Sequence, residues 1–483
     1  MFVDRHEELA FLNRLLIRKQ PGPAQMLLLY GRRRVGKTEL LKHWCRQSDI
    51  DYIYWAADKE PAVLQRRSFM AAMLEMPEEQ ATAFDSWPAL WRWLAPRLAE
   101  KPDKQILILD ELSYASAADP ALLSALQHAW DHHLQASNVV LVLCGSQVTT
   151  MEAIMQHQSP LFGRFTGQWH LQPLPFSSLR KFFPGWSAEE RVALYGVVGG
   201  IPAYLRLLDS DLSLVDNIQQ VILEPGNIFL AEPELLLHDE LRDLSTYQAI
   251  LRAISKGHHT LKAISDDCLI GSSGLTFYLN KLQELRLVER CLPVTLTTAQ
   301  QRKSKQGRYH LSDPFFRFYF RFLFPHLSSL MSPEETTAHI KSELRAFVGL
   351  SFEKLAQQWV AAQARGGHLP FTPEAPALSR VEGVGSHWSR RVQVDVVAIN
   401  HQSKEILLGE CKWGEGKVNR QVVRELIEQK GPKVRQELRD GDEWTFHYAL
   451  FARAGFTEAA AGEMNARQGL LVDLPALDEG LAT

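Results

Sequence analysis

One octapeptide constrains this chain more than any other stretch. Gly31-Arg32-Arg33-Arg34-Val35-Gly36-Lys37-Thr38 has the form G-x-x-x-x-G-K-[ST], and it follows directly on the apolar run Gln25-Met26-Leu27-Leu28-Leu29-Tyr30. Its two glycines let the backbone turn tightly, so that successive amides point at one anion. The Lys37 ammonium would reach the terminal phosphates of a nucleotide, the Thr38 hydroxyl would bind Mg²⁺, and the helix opening here adds its positive dipole end. Gly31, Arg34, Val35, Gly36, Lys37, Thr38 and, in the first helical turn, Glu39 are therefore the candidate nucleotide contacts.

A phosphate loop of this kind joins a strand to a helix, and the surrounding sequence has that rhythm. Gln105 to Leu109 and Asn138 to Leu143 are short, continuously apolar runs, as expected of strands buried on both faces of a parallel sheet. Glu39 to Gln47 and Pro120 to Gln135 have helical periodicity. The second apolar run ends in Asp110-Glu111, where Asp110 would hold the Mg²⁺ shell and Glu111 would orient or deprotonate the attacking water. The third ends in Cys144-Gly145-Ser146-Gln147, whose polar side chains are candidate sensors of the γ-phosphate. Arg164 is the candidate arginine for the γ-phosphate, in cis or in trans, although spacing alone reads it as a surface residue.

Length and composition bound the rest. The chain has 483 residues, which at roughly 150 per domain suggests about three domains. Hydrophobic residues make up 46% and charged residues 23%, which excludes a disordered or fibrous chain. No run of eighteen apolar residues occurs and no secretory pattern follows Met1, so neither a membrane span nor a secretory signal is expected. The five cysteines have no CxxC spacing, which argues for reduced thiols, a cytoplasmic address and no zinc site. The net charge of −3 (53 basic against 56 acidic residues) excludes a wholly basic nucleic-acid coat but not a local basic face.

In the middle of the chain, helices are expected at Tyr247 to Ile254, from His258 to Ile264, and at Ser272 to Leu282, the last with Leu275, Leu279 and Leu282 on one face. A strand from Leu287 to Leu292 follows, then a stretch with Arg302, Lys303, Lys305 and Arg308 and no acid. This spacing looks like a winged helix-turn-helix with a basic wing tip. Ser272, Ser273, Thr276 and Lys281 could face a DNA groove, or the module could serve as a protein–protein spacer. The aromatic run Pro314 to Phe322 reads as a helix packing two domains together, with base stacking the minor alternative.

Toward the C-terminus a helix is expected from Glu343 to Ala364, then a Gly/Pro-rich loop from Gly366 to Gly385. Strands follow at Val392 to Ile399 and Glu405 to Glu410, a charged helix near Asn419 to Lys430, and a strand at Tyr448 to Ala452. Asp395 lies inside the first of these strands. Glu410 and Lys412 are two apart and so project from one strand face. Asp395, Glu410 and a backbone carbonyl could hold Mg²⁺, with Glu353 on the preceding helix as a further oxygen ligand, and Lys412 would act on the metal-bound water and the phosphate charge. Glu425, Glu428, Lys430 and Lys433 read as a solvated helix face. The His132-His133 and His258-His259 pairs lack ligand spacing.

Two family resemblances rest on these residues. Phe2-Val3-Asp4-Arg5 with Glu7-Glu8-Leu9, the loop at 31–38, Leu109-Asp110-Glu111, Leu161-Phe162-Gly163-Arg164, Leu171 to Phe176 and Gly199 to Leu205 resemble archaeal-type P-loop ATPases of the AAA+/STAND neighbourhood, over about residues 1 to 330. That resemblance implies an ATP-driven switch, supports Arg164 as a nucleotide contact and puts Gly200-Ile201-Pro202 where a helical lid meets the nucleotide. Asp395, Glu410 and Lys412 resemble the PD-(D/E)xK, restriction-endonuclease-like phosphodiesterases over about residues 340 to 455, although Val394 stands where that family has proline. The expected α/β chain is a P-loop NTPase parallel sheet with helical lid (1–240), a winged helix-turn-helix (241–335) and a nuclease-like α/β domain (336–483). The expected cofactors are ATP and Mg²⁺, with DNA as partner through Ser272, Ser273, Lys281, Arg302, Lys303 and Lys305. The expected function is nucleotide-coupled DNA binding and cleavage, in defence or DNA processing. The alternative is a nucleotide-gated regulator or scaffold whose nuclease-like domain only binds. The oligomeric state is left open.

Overall fold

The computed structural model describes residues 2–18, 23–241, 243–327, 332–369 and 381–482. They form two compact units, Met1–Leu174 with Ile201–Ala203, and Pro175–Gly200 with Tyr204–Thr483.

The first unit is built on a parallel sheet of β1 (Gln25–Tyr30), β2 (Tyr52–Ala56), β3 (Gln105–Asp110), β4 (Val139–Gly145) and β5 (Gly167–His170), in the order β2-β3-β4-β1-β5. β1, β3 and β4 are buried along their whole length, which explains their unbroken apolar composition. β2 and β5 have no such run; both strands carry exposed or half-buried positions, and the sequence pattern does not mark them. On one face Trp55, Phe69, Trp87 and Trp91 pack at edge-to-face or tilted angles, with centroids 5.1 to 5.9 Å apart. The helix Trp87–Ala99 that delivers two of these rings is capped by Ser86, whose side chain accepts from the Ala89 N–H.

The second unit holds three helices, Leu244–Ser255, Leu261–Cys268 and Ser272–Glu284, followed by an antiparallel pair, β6 (Val288–Cys291) and β7 (Arg308–Leu311). Leu275, Leu279 and Leu282 are buried along one helix face, as the heptad-like spacing requires. The connection between β6 and β7 differs from the expected basic tip. It contains a helical turn, Thr298–Lys303, with a capping box from Thr297 and Gln300. Arg302, Lys303 and Lys305 are exposed there. Arg308 belongs to β7 instead, its guanidinium stacked over Trp388 at 4.8 Å and bonded to Gln393 at 3.1 Å. The aromatic run is a helix whose Phe315, Phe316, Phe318, Tyr319, Phe320 and Phe322 are all buried, which removes the base-stacking alternative.

A 34-residue helix, Pro333–Gly366, leads into a mixed sheet in the order β12-β11-β10-β9-β8. Its strands are β8 (Gly383–Trp388), β9 (Gln393–Asn400), β10 (Glu405–Lys412), β11 (Thr445–Ala452) and β12 (Leu470–Asp473). β9 runs antiparallel to both β8 and β10, while β10, β11 and β12 run parallel to one another. Residues 370–380 of the expected Gly/Pro loop lie outside the described residues. The end of that loop is a strand, β8, because Gly383 and Gly385 let the backbone pass Val294, where an added Cβ would stand 2.9 and 3.3 Å from its side chain.

Candidate functional site

In the first unit the phosphate loop leaves the carboxyl end of β1, the edge where parallel α/β sheets bind ligands. Its sharp turn needs glycine at position 31, where a Cβ would stand 2.5 Å from the Leu171 carbonyl oxygen. Arg34 and Gly36 both take left-handed backbone angles, and the helix Lys37–Ser48 begins immediately after. Lys37 is buried, and its ammonium donates to the Gly31 and Arg32 carbonyls at 2.9 and 3.2 Å. Glu39 is exposed in the first helical turn. Pro202, in the segment expected to meet the nucleotide, lies 3.8 Å from the position of a Cβ on Gly36.

β3 and β4 deliver the acidic and polar groups to the same edge. Asp110 Oδ2 accepts from Thr38 Oγ1 at 2.9 Å and from the Tyr54 hydroxyl at 2.6 Å, and Oδ1 accepts from the Glu111 N–H at 2.9 Å. Burial alone would raise the proton affinity of Asp110. Donation from Tyr54, Cys144, Thr38 and the Glu111 amide outweighs it and holds the carboxyl below its usual range. Thr38 and Asp110 thus present adjoining hard oxygen donors, the set that suits Mg²⁺. Glu111 has a left-handed backbone, and its Oε2 accepts from both the Ser146 N–H (3.1 Å) and the Ser146 hydroxyl (2.8 Å). Ser146 therefore meets the candidate base directly. Gln147 accepts from Thr150 within the next turn.

Two residues were not singled out from the sequence for this site. Tyr54 comes from the unrecognised strand β2. Arg5 is buried and donates to the Val35 carbonyl of the loop at 2.9 Å, to the Gln172 carbonyl at 2.8 Å and to Glu8 at 3.0 Å. Arg5 stands in the Phe2-Val3-Asp4-Arg5 stretch of the family resemblance, but as the residue immediately before the helix His6–Ile17 it carries no signal of that role.

The cis reading of Arg164 is corrected by the topology. Thr166 donates to the Met26 carbonyl and Gly167 pairs with Leu27, so Arg164 lies at the amino edge of the sheet. The six residues of β1, at about 3.3 Å each, separate that edge from the loop by roughly 17–20 Å. There Arg164 forms a two-point ion pair with Asp131 at 2.6 and 2.8 Å, and lines a cleft of about 420 Å³ with Arg18 and Trp130.

In the second unit the short return from β9 to β10 brings Asp395, Glu410 and Lys412 together. The Cys411 N–H donates to Asp395 Oδ2 at 3.1 Å, and Lys412 donates to Glu410 Oε1 at 2.8 Å. Lys430, expected on a solvated face, instead donates to Glu410 Oε2 at 2.7 Å and is only 17% exposed. Seven residues after Val423 and four after Leu426, both buried, it continues the helix's apolar stripe; that spacing was the readable signal. Glu353, on the long helix, adds a third carboxyl. Burial first, then Asp395 and Glu410, push its proton affinity up, while Arg317 and Lys412 oppose the shift. Burial and Glu410 likewise raise Asp395. Lys412 is raised in turn: burial would lower it, but Glu410 overrides. Buried Glu410 thus clusters with half-buried Asp395 and Glu353 and with cations, an arrangement that shifts proton affinities as functional sites often do. Among the described residues no group of three or more His, Cys, Asp and Glu side chains is disposed to hold a metal ion, and both oxygens of Glu410 accept from lysines.

A family model described as an ATPase domain predominantly from Archaea matches residues 2–208. A second, described as archaeal and bacterial proteins of unknown function, matches residues 319–425. An uncharacterized protein of Methanocaldococcus jannaschii is 32% identical over 457 residues, covering 94% of this chain and 96% of its own. The chain belongs to this family of archaeal-type P-loop ATPases. An uncharacterized ATP-binding protein of the same organism is 48% identical over 50 residues, 10% of this chain and 80% of its own. Among solved structures, similarity extends to the Walker-type ATPase of Pyrococcus abyssi (20% identity, TM-score 0.43, 66% of this chain and 96% of that one). It extends also to the ORC2 protein of Aeropyrum pernix in its ADPNP–ADP complexes (15% identity, TM-score 0.45, 71% of this chain and 94% of that one). By the family match over residues 2–208 the amino-terminal part of this archaeal-type ATPase is an ATPase domain, and the carboxyl-terminal match is not specific to nucleases. No helix among the described residues is long and apolar enough to cross a membrane.

Proposed function

We propose that this ATPase couples its nucleotide state to DNA binding and to metal-dependent phosphodiester cleavage. In this reading the chain comprises an ATPase with lid over 1–240, a winged helix over 241–335 and a nuclease-like domain over 336–483. One observation carries the cleavage reading: antiparallel β9 and β10 bring Asp395, Glu410 and Lys412 together beside Glu353.

At the loop, Lys37 neutralises phosphate charge, Glu111 takes the proton of an attacking water and Ser146 holds Glu111 in place. Thr38 and Asp110 would hold Mg²⁺, which supplies charge neutralisation at the phosphates. Arg164, on the far edge, acts in trans in an assembly of copies. At the second site Asp395 and Glu410, once Lys412 and Lys430 release the Glu410 oxygens, would hold the metal, with Glu353 as the further oxygen, and the metal would supply an activated water. Lys412 stabilises charge growing on the scissile phosphate. Ser272, Ser273 and Lys281, with the exposed Arg302, Lys303 and Lys305, contact DNA.

The test is incubation of the protein with plasmid and linear DNA in Mg²⁺ or Mn²⁺, beside Lys412→Ala. Metal-dependent cutting that the variant loses is expected; no cutting, or equal cutting by the variant, overturns the reading. The second reading, a nucleotide-gated regulator that binds without cutting, is favoured by one observation, the capture of both Glu410 oxygens by lysines. ATP-dependent DNA affinity with no cutting supports it.

A further inference from the structure

We propose that Lys430 is a second phosphate-contacting lysine of the carboxylate site and forms, with Lys412, a paired-cation seat for a phosphodiester; this rests on the reading of that site given above. The two ammoniums grip opposite oxygens of one carboxylate, Lys412 on Oε1 at 2.8 Å and Lys430 on Oε2 at 2.7 Å. Glu410 itself is 6% exposed, whereas Lys412 is 40% and Lys430 17% exposed, so the cations lie between the buried carboxylate and solvent. Each ammonium carries three donors, and Glu410 engages one of each. The remaining donors of the two ammoniums complement the two non-bridging oxygens of a phosphate diester.

The backbone places Lys430 deliberately. It closes a π-turn, Glu425–Lys430, in which the Gly431 N–H reaches back to the Leu426 carbonyl. Such turns cost regular helix hydrogen bonding and recur at functional sites. Lys433, three residues on, is exposed and serves as a natural control. A lysine present only for solubility would occupy the Lys433 side of this helix rather than a half-buried position against a buried glutamate.

The test uses the full chain with Lys430→Gln, Lys430→Arg, Lys433→Gln and Lys412→Gln, each checked for wild-type thermal unfolding. Anisotropy of a labelled duplex in EDTA reads phosphate contact without metal or turnover, and a cleavage assay in Mg²⁺ follows. For Lys430→Gln we expect weaker binding, a salt-dependence slope reduced by about one and slower cleavage, with recovery in Lys430→Arg and no change in Lys433→Gln. If wild type binds and cuts, Lys412→Gln stops cutting, and Lys430→Gln matches wild type in slope and rate, Lys430 is a structural partner and the inference fails alone. If wild type neither binds nor cuts DNA, the reading of the site fails and takes the inference with it.

Discussion

Replacing Glu353 by glutamine tests the electrostatics of the carboxylate site while keeping the shape of the side chain. Burial and its neighbours Asp395 and Glu410 raise the Glu353 carboxyl from an ordinary 4.5 to about 8. A carboxyl with a raised folded-state value stabilises the fold fully below the unfolded value, and that contribution is lost as pH climbs through the folded one. The window is therefore pH 4.5 to about 8. At about 1.4 kcal/mol per unit the full span has a ceiling of about 5 kcal/mol. Asp395 shares the same proton binding and three cations stand nearby, so a loss of about 2 kcal/mol between roughly pH 5 and pH 8 is expected of this one group. Glutamine neither gains nor loses a proton, so Glu353→Gln should match wild type near pH 5 and exceed it by about 2 kcal/mol near pH 8. Urea unfolding followed by a tryptophan signal of the second unit, at both pH values, measures the difference. A gap between variant and wild type that stays constant with pH would refute the argument.

Four further outcomes follow from the first unit. Gly31→Ala drives a Cβ to 2.5 Å from the Leu171 carbonyl oxygen, so it should abolish nucleotide binding and lower stability by about 2 kcal/mol or more, read by calorimetric titration and thermal melting. Glu111→Gln should slow ATP turnover by roughly 10²-fold or more while ATP still binds, read by phosphate release beside nucleotide titration. Arg5→Met strips the Val35 carbonyl of its buried donor, at a cost of about 2 kcal/mol, and should weaken ATP binding without changing the pH profile of turnover. Tyr54→Phe removes one donor from Asp110; the carboxyl should then titrate higher and more Mg²⁺ should be needed for half-maximal hydrolysis, with metal-free ATP affinity unchanged.

Much of the nucleotide site was legible because its parts are local in sequence. A loop between a strand and a helix, and a strand ending in two carboxylates, are set by a few consecutive residues whose spacing is itself the mechanism. Asp395, Glu410 and Lys412 were legible for a related reason, since the short return through His401 to Lys404 forces two neighbouring strands into antiparallel register. The residues that escaped depend on partners far along the chain. Tyr54 reaches Asp110 across 56 positions, and Arg5 reaches Gln172 across 167. Neither distance leaves a pattern in a single sequence.

The sequence by itself determined that this chain holds a phosphate loop on a buried parallel strand, a β3 carboxylate pair, and a separate strand pair carrying two acids and a lysine. Only the tertiary structure decided which side chains those groups meet. It put Arg164 on the sheet edge away from the loop, because strand direction, not spacing, fixes which end a residue occupies. It turned Lys430 from an apparent surface charge into a partner of Glu410, because a buried carboxylate draws a cation wherever the packing of Val423 and Leu426 brings one within reach. Local chemistry is written in adjacent residues; charge pairing is settled by distances that exist only after the chain has packed.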